Sequence, residues 1–212
     1  MNKIISVDDA MALVASGDTV AVAGYGTNGV PEKLLVGLEE RFLSTAEPKD
    51  LTLMFAGGIG DGAERGLNRL GHDGLLKRVI GGHYGLIPKI EQLARDNLIE
   101  AYNFPEGALV HMYRNIGRGG LRTMSKVGLG TFVDPRLEGG KVNASAEADL
   151  VELVEFDGEE WLLYRGLPID VVLIRGTTAD PEGNITMERE ALSLETLSLA
   201  IAARTSVIVS PP

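Results

Sequence analysis

The chain has 212 residues, 44% of them hydrophobic and 24% charged, with a net charge of −10 and no cysteine. That length and apolar content support about one domain with a substantial buried core. The acidic balance argues against nucleic acid and anionic membranes as partners, since their phosphates call for a basic stripe; the lack of cysteine excludes disulfides, thiolate catalysis and cysteine-ligated metals.

The polar start Met1-Asn2-Lys3 and the want of a long apolar run predict neither a signal peptide nor a membrane span, so a cytoplasmic protein is expected. Ser6 is placed to cap a helix reaching about residue 16, with Asp8 and Asp9 in its first turn and Gly17 ending it. A short apolar strand over 19–23 runs into Gly24-Tyr25-Gly26-Thr27-Asn28-Gly29. A helix follows over 31–44 with Leu34, Leu35, Leu38 and Phe42 on one stripe. Glycines spaced Gly-x-Gly-x-x-Gly let the main chain approach a ligand, and a helix start offers unpaired N–H groups to an anion or acyl oxygen. The same spacing is a dinucleotide fingerprint. Against that, Pro31 stands at the helix start, and no acid ends a second strand about 20 residues on, where a nicotinamide ribose needs one.

The alternation repeats. A strand over 51–56 runs into Gly57-Gly58, another over 76–80 into Gly81-Gly82-His83-Tyr84, and a helix over 87–96 precedes a strand over 98–102 that ends in Asn103-Phe104-Pro105. Such a series predicts the fold class: α/β, an open, mostly parallel sheet flanked by helices, with ligands at the carboxyl ends of the strands. Residues 150–156 and 160–164, turned on Asp157-Gly158, predict a small antiparallel hairpin insertion lying as a flap on the main sheet. A buried strand over 169–174, a turn over 180–184, a helix over 192–203 packing through Leu194, Leu197 and Ile201, and a strand over 207–209 complete a single domain before Pro211-Pro212.

Gly24-Tyr25 with Gly29-Val30-Pro31-Glu32 resembles the first signature of the family I coenzyme A transferases of the acyl-CoA:acetate/3-ketoacid type, with Ala23 in place of the first glycine and Tyr25 in place of phenylalanine. The resemblance continues in order through Asn103-Phe104-Pro105-Glu106-Gly107, the run 128–135, Gly139-Gly140-Lys141-Val142-Asn143 and the run 175–184. It implies a domain spanning 1–212 that is the N-terminal, α-subunit-like half of such an enzyme. Coenzyme A would move between short-chain carboxylic acids by a ping-pong route through a glutamyl thioester. The attacking glutamate would lie in a second half, a C-terminal domain or β subunit, outside these residues. Acyl-CoA and carboxylate would be substrates rather than resident cofactors, and association into a homo-oligomer is expected.

By the same resemblance Gly24, Gly26, Thr27, Asn28 and Gly29 line the acyl site, with their N–H groups facing developing charge; a plain glycine turn gives the same string. Glu106 stands where the family usually holds a glutamine. It either donates as a neutral acid, supplies charge at a helix start, or marks a different reaction. Gly107, and Gly128, Gly130 and Thr131, look like further borders of the acyl pocket, the last three equally readable as a capped turn. Arg114, Arg118, Arg122 and Lys126 form either a phosphate patch or a solvated face. His83 and Tyr84 sit on the same edge, and the three histidines share no metal-ligand spacing. Two other classes stay open: an NAD(P)-dependent oxidoreductase built on the first loop, and a non-catalytic regulatory or assembly domain.

Overall fold

The structure, a computed structural model, describes residues 3–210, so Met1-Asn2 and Pro211-Pro212 lie outside the described residues. In chain order come α1 (Val7–Met11), β1 (Thr19–Val22), α2 (Glu32–Thr45), β2 (Leu51–Phe55), a 3-10 turn (Leu67–Leu70), β3 (Leu76–Gly81), α3 (Pro88–Arg95) and β4 (Glu100–Asn103). Then follow α4 (Glu106–Gly117), β5 (Arg122–Ser125), β6 (Val151–Phe156), β7 (Glu159–Arg165) and β8 (Ile169–Arg175). The short pair β9 (Thr178–Ala179) and β10 (Ile185–Thr186) precedes α5 (Thr196–Ala202) and β11 (Ala203–Ser210).

Six strands form a parallel sheet in the order β11-β8-β1-β2-β3-β4. Period-two alternation splits each strand between two cores. Val20, Val22, Leu53, Phe55, Val79, Val171 and Leu173 face α1, α2 and α3, whereas Ala21, Met54, Ile80, Val172 and Ile174 face α4 and α5. Both faces are covered, which is why β1, β2 and β8 read as continuous apolar runs.

The hairpin turned on Asp157-Gly158 is present as β6 and β7, with both turn residues at positive φ, 52° and 76°. It is not a flap on the main sheet. It forms a separate antiparallel sheet, β5-β7-β6, which lies against α4 through β5 and whose Val151, Leu162 and Tyr164 share one core with that helix. Helix α4 is therefore held between two sheets.

Two helices differ from expectation. Ser6 caps α1 as read, accepting from the Asp9 N–H, but the helix stops at Met11. Arg41, reaching from α2, takes the carbonyls of Met11 and Val14, and the nearby Asp18 accepts the Ala15 N–H at 2.8 Å, so side chains rather than helical bonds hold the chain after Met11. Helix α5 begins at Thr196, and its expected packing stripe faces outward: Leu194, Leu197 and Ile201 are 38%, 73% and 60% exposed. Thr196, Leu199 and Ala202 are buried instead. The sequence carries two apolar stripes there, and the one rich in small residues lets α5 lie close on its neighbours.

Candidate active site

Because all six main strands run the same way, the loops after β1, β2, β3, β4 and β8 emerge on one edge. From β1 the chain proceeds to β2, β3 and β4 on one side, while β8 and β11 add on the other. The order reverses at β1, and the crevice opened at such a switch point is where open α/β sheets bind ligands. The loop 23–31 leaves the sheet at that point.

Its conformation is fixed by backbone bonds. Tyr25 and Asn28 exchange N–H···O bonds of 3.0 and 2.9 Å, so Gly26 and Thr27 form a two-residue tip. Gly26, at φ 58°, donates to the Gly58 carbonyl at 2.7 Å and accepts from Gly60 at 2.9 Å, tying this loop to the one after β2. The Gly26 N–H is therefore not available to a substrate, which removes one of the three expected donors. Among the described residues no acceptor takes the N–H of Gly24 or Gly29. Thr27 and Asn28 are exposed at the tip, and the ring of Tyr25 lies over Gly57, where a Cβ would sit 2.7 Å from it.

The same spot receives Glu106. It opens α4, is exposed, and brings Oε1 to 3.4 Å from the position a Cβ would take on Gly57. Pro105 caps that helix with no side-chain bond, so the first N–H groups of α4, Gly107 included, lack intrahelical acceptors and favour a negative charge. Gly82 passes so near the Ala56 carbonyl that a Cβ would be 1.9 Å from it, and the His83 ring occupies the space beside Gly58. Gly24, Gly29, Tyr25, Gly57, Glu106, Gly107 and His83 thus gather at one edge. An open cleft of about 710 Å³ continues from Gly82 and His83 past Asn103 to Phe132, Glu138 and Lys141.

Gly128, Gly130 and Thr131 stand apart from that cluster. A Cβ on Gly128 would meet the Tyr164 hydroxyl at 2.6 Å, Thr131 bonds back to the Gly128 carbonyl through N–H and hydroxyl, and Gly130 donates to Asp134 at 2.9 Å. The turn is tied by its own bonds, and its neighbour Phe132 lines the cleft. Asp134, 1% exposed, is held well below the usual carboxylate range, first by the Arg136 side chain and then by the Gly130 N–H. Of the basic cluster, Arg122 pairs with Glu152 at 3.0 Å and Lys126 with Glu159 at 2.7 Å, while Arg114 and Arg118 line a separate pocket with Trp161. His72 bonds Glu39 at 2.9 Å and His111 faces that same Trp161 pocket, so the three histidines do not meet.

Several motif residues turn out to be staples of the fold. Glu32 accepts from Gly66 and pairs with Arg69 at 3.1 Å; Asn103 bonds the Gly81 carbonyl; Asn143 bonds the carbonyls of Ala94 and Ile99 and the N–H of Ala101. Asp61 accepts three N–H groups from 63–65, and Asp180 closes the β9–β10 turn on Asn184. Sequence reading missed Glu195 and Tyr113. Glu195 is 6% exposed and held above its ordinary value by burial and, further, by the Glu106 carboxylate; burial likewise raises the fully enclosed Tyr113 hydroxyl. A lone acid inside the apolar run 191–203 was the available signal.

An open parallel sheet whose glycine-rich loops and acid-headed helix meet at its switch point defines the class: an open α/β fold with its loops gathered where such sheets bind ligands. The coenzyme A transferase profile matches residues 4–210, and the chain belongs to that family. It is 44% identical to the caffeate CoA-transferase of Acetobacterium woodii over 206 residues, which cover 97% of this chain and 39% of that protein. The acetate CoA-transferase subunit alpha of Escherichia coli K12 is 28% identical over 208 residues, covering 97% of this chain and 84% of that subunit. The acyl-CoA transferase YdiF of E. coli O157:H7, solved as apoenzyme and as a thioester complex with CoA, superposes with a TM-score of 0.95 at 36% identity, over 98% of this chain and 41% of that one. These likenesses do not favour the nicotinamide reading. The chain spans about two fifths of the caffeate enzyme and of YdiF.

Proposed function

We propose that this chain is the first half of a coenzyme A transferase that moves CoA between short-chain acyl donors and acetate-like carboxylates. The observation that carries the proposal is the meeting, at the switch point, of the loop after β1 with the head of α4: Tyr25 and Glu106 both reach the space beside Gly57, and the N–H groups of Gly24 and Gly29 in that loop have no acceptor among the described residues. Donors of this kind, aimed at a thioester carbonyl, stabilise the oxyanion that forms when a carboxylate attacks; one such donor is worth about 3 kcal/mol in other acyl-transfer enzymes. The attacking glutamate comes from a second half, a C-terminal domain or partner subunit. The length shared with YdiF and with the alpha subunit supports a two-part enzyme, and the exposed Leu194, Leu197 and Ile201 offer that half, or a further copy in a homo-oligomer, an apolar surface. Attack on acyl-CoA gives an acyl-glutamyl anhydride and free CoA thiolate. The thiolate then attacks the glutamyl carbonyl of the anhydride, expelling the donor acid as its carboxylate and leaving the enzyme thioester, and the acceptor carboxylate reverses both steps.

The test is acetyl-CoA and propionate exchange, by this chain alone and by the chain expressed with its complementing half, with borohydride trapping of the enzyme thioester. The expected result is no exchange alone, and exchange with a trappable thioester in the complex. A folded complex that neither exchanges CoA nor forms the thioester contradicts the proposal. Among the described residues no helix is long and apolar enough to cross a membrane, and the expected cytoplasmic location remains part of this proposal.

A further inference from the structure

The pocket between α4, β5 and β7 is lined by charge of one sign. It measures about 390 Å³, and its walls include His111, Arg114, Arg118, Met124, Lys126 and Trp161. No acid lines it among the described residues, in a chain with 30 Asp and Glu against 20 Lys and Arg. His111, Arg114 and the C-cap residue Arg118 follow one another at helical spacing and so share one face of α4. Arg114 is about 12 Å along the helix axis from Glu106, so the pocket is separate from the acyl edge.

Neighbouring arginines are met by acids: Arg122 and Arg165 by Glu152, Arg136 by Asp134 and Glu160. Among the described residues, the side chains of His111, Arg114 and Arg118 have no ion pair or hydrogen bond. Lys126 stands 4.9 Å from the centre of the Trp161 ring and pairs with Glu159 at 2.7 Å, which leaves the two guanidinium groups unmatched. Cations near a helix C-terminus complement its dipole, and that accounts for each arginine taken singly. Two of them four residues apart repel one another, however, and here they face a concave wall that carries no acid.

An anion is what such a wall lacks. Guanidinium groups offer phosphate oxygens paired donors in a fixed fork, a closer match than a point charge gives. The volume admits more than a bare ion, and Trp161 with Met124, 42% exposed, adds apolar surface for the group that carries the phosphate.

We propose that this pocket binds a phosphate-bearing small molecule, with Arg114 and Arg118 holding the phosphate and Lys126 adding charge at the rim. The phosphate belongs either to the coenzyme A of the proposed reaction or to a separate phosphorylated compound; the chemistry that recognises it is the same. The site stands whether or not the chain transfers CoA, because binding is read without turnover.

The experiment is calorimetric titration of the chain with inorganic pyrophosphate and with ADP at low ionic strength. It is paired with nitrogen-15 NMR of the arginine Nε–H groups, assigned by their loss in Arg114→Gln and Arg118→Gln. Saturable binding that moves both signals is expected, weakened about tenfold when both arginines are replaced. Arg122→Gln removes the same charge outside the pocket and should weaken binding less than about twofold. No saturable binding, binding that survives the double replacement, or an equal loss in Arg122→Gln overturns the proposal and leaves Arg114 and Arg118 on a solvated face. Both replaced side chains are exposed, and a thermal melt matching that of the unchanged chain assigns the loss to the pocket rather than to unfolding. Titrating ADP into the chain saturated with coenzyme A separates the two sources: competition assigns the phosphate to coenzyme A, and undiminished binding assigns it to a separate compound.

Discussion

The glycine edge of the main sheet and the turn 126–141 with its antiparallel sheet are both loop-rich, yet they are held in different ways. At the edge, main chain touches main chain: Gly26 bonds Gly58 and Gly60, and Gly82 lies against the Ala56 carbonyl. In the second region side chains do the holding. Asp134 gathers Gly130 and Arg136, Arg136 reaches Glu160 at 2.9 Å, and the Tyr164 hydroxyl donates to Val127 at 2.5 Å. Where main chain presses on main chain, as at Gly82, a side chain has nowhere to go, whereas at Gly26 only the backbone angle resists one. Side-chain contacts of the second kind can be exchanged at modest cost.

The comparison breaks most visibly at Gly82. Alanine there would drive its Cβ to 1.9 Å from a carbonyl oxygen, and Gly82→Ala is expected to destabilise the chain by about 3 kcal/mol, read by urea denaturation. A loss below about 1 kcal/mol would mean that the edge yields and is not set by backbone contact. Gly26 sharpens the point, since no atom lies within 4 Å of its missing Cβ and only its φ of 58° resists a side chain. Gly26→Ala should cost about 1 kcal/mol and leave transfer by the complete enzyme nearly unchanged, its N–H being already engaged.

Two carboxyl groups, one at the head of α5 and one in the 126–141 turn, should answer to pH with opposite signs. Glu195 is raised in the folded chain, so the fold binds more protons than the unfolded chain, and stability falls as pH climbs through the folded midpoint; Glu195→Gln should flatten that limb of a thermal-melt profile. Asp134 is depressed, so its contribution is present above the unfolded value of about 3.9 and is lost as pH drops below it; Asp134→Asn should flatten the acid limb instead. Parallel profiles in all three proteins would remove both assignments. The smallest effect is expected at the surface pair of Arg122 and Glu152, 53% and 39% exposed, where Arg122→Ala should cost under about 0.5 kcal/mol and less in high salt.

Much of the edge was legible in the sequence, because strands over 19–23, 51–56, 76–80 and 169–174 each carry a buried apolar run and end beside glycine. What could not be read depends on contacts between distant residues. Arg41 holds the Met11 carbonyl at the end of α1 from thirty residues away in sequence, and the Gly26 N–H is taken by a loop whose position follows from strand order. The four residues of β5 alternate too briefly to register as a strand. The α5 stripe misled because Leu194, Leu197 and Ile201 have helical spacing and high hydropathy, and nothing local says that a smaller face is the buried one. Glu106 does open a helix, one of the three readings its sequence position allowed, whereas the burial of Glu195 follows from tertiary packing that no local pattern announces.

The account turns on whether the loop after β1 meets the thioester. A crystal structure of the chain assembled with its complementing half and an acyl-CoA should place the thioester oxygen within hydrogen-bond distance of the Gly24 or Gly29 N–H, beside Tyr25 and Glu106. A thioester seated instead on the Gly128–Thr131 turn or in the Trp161 pocket, with the first loop untouched, would contradict it.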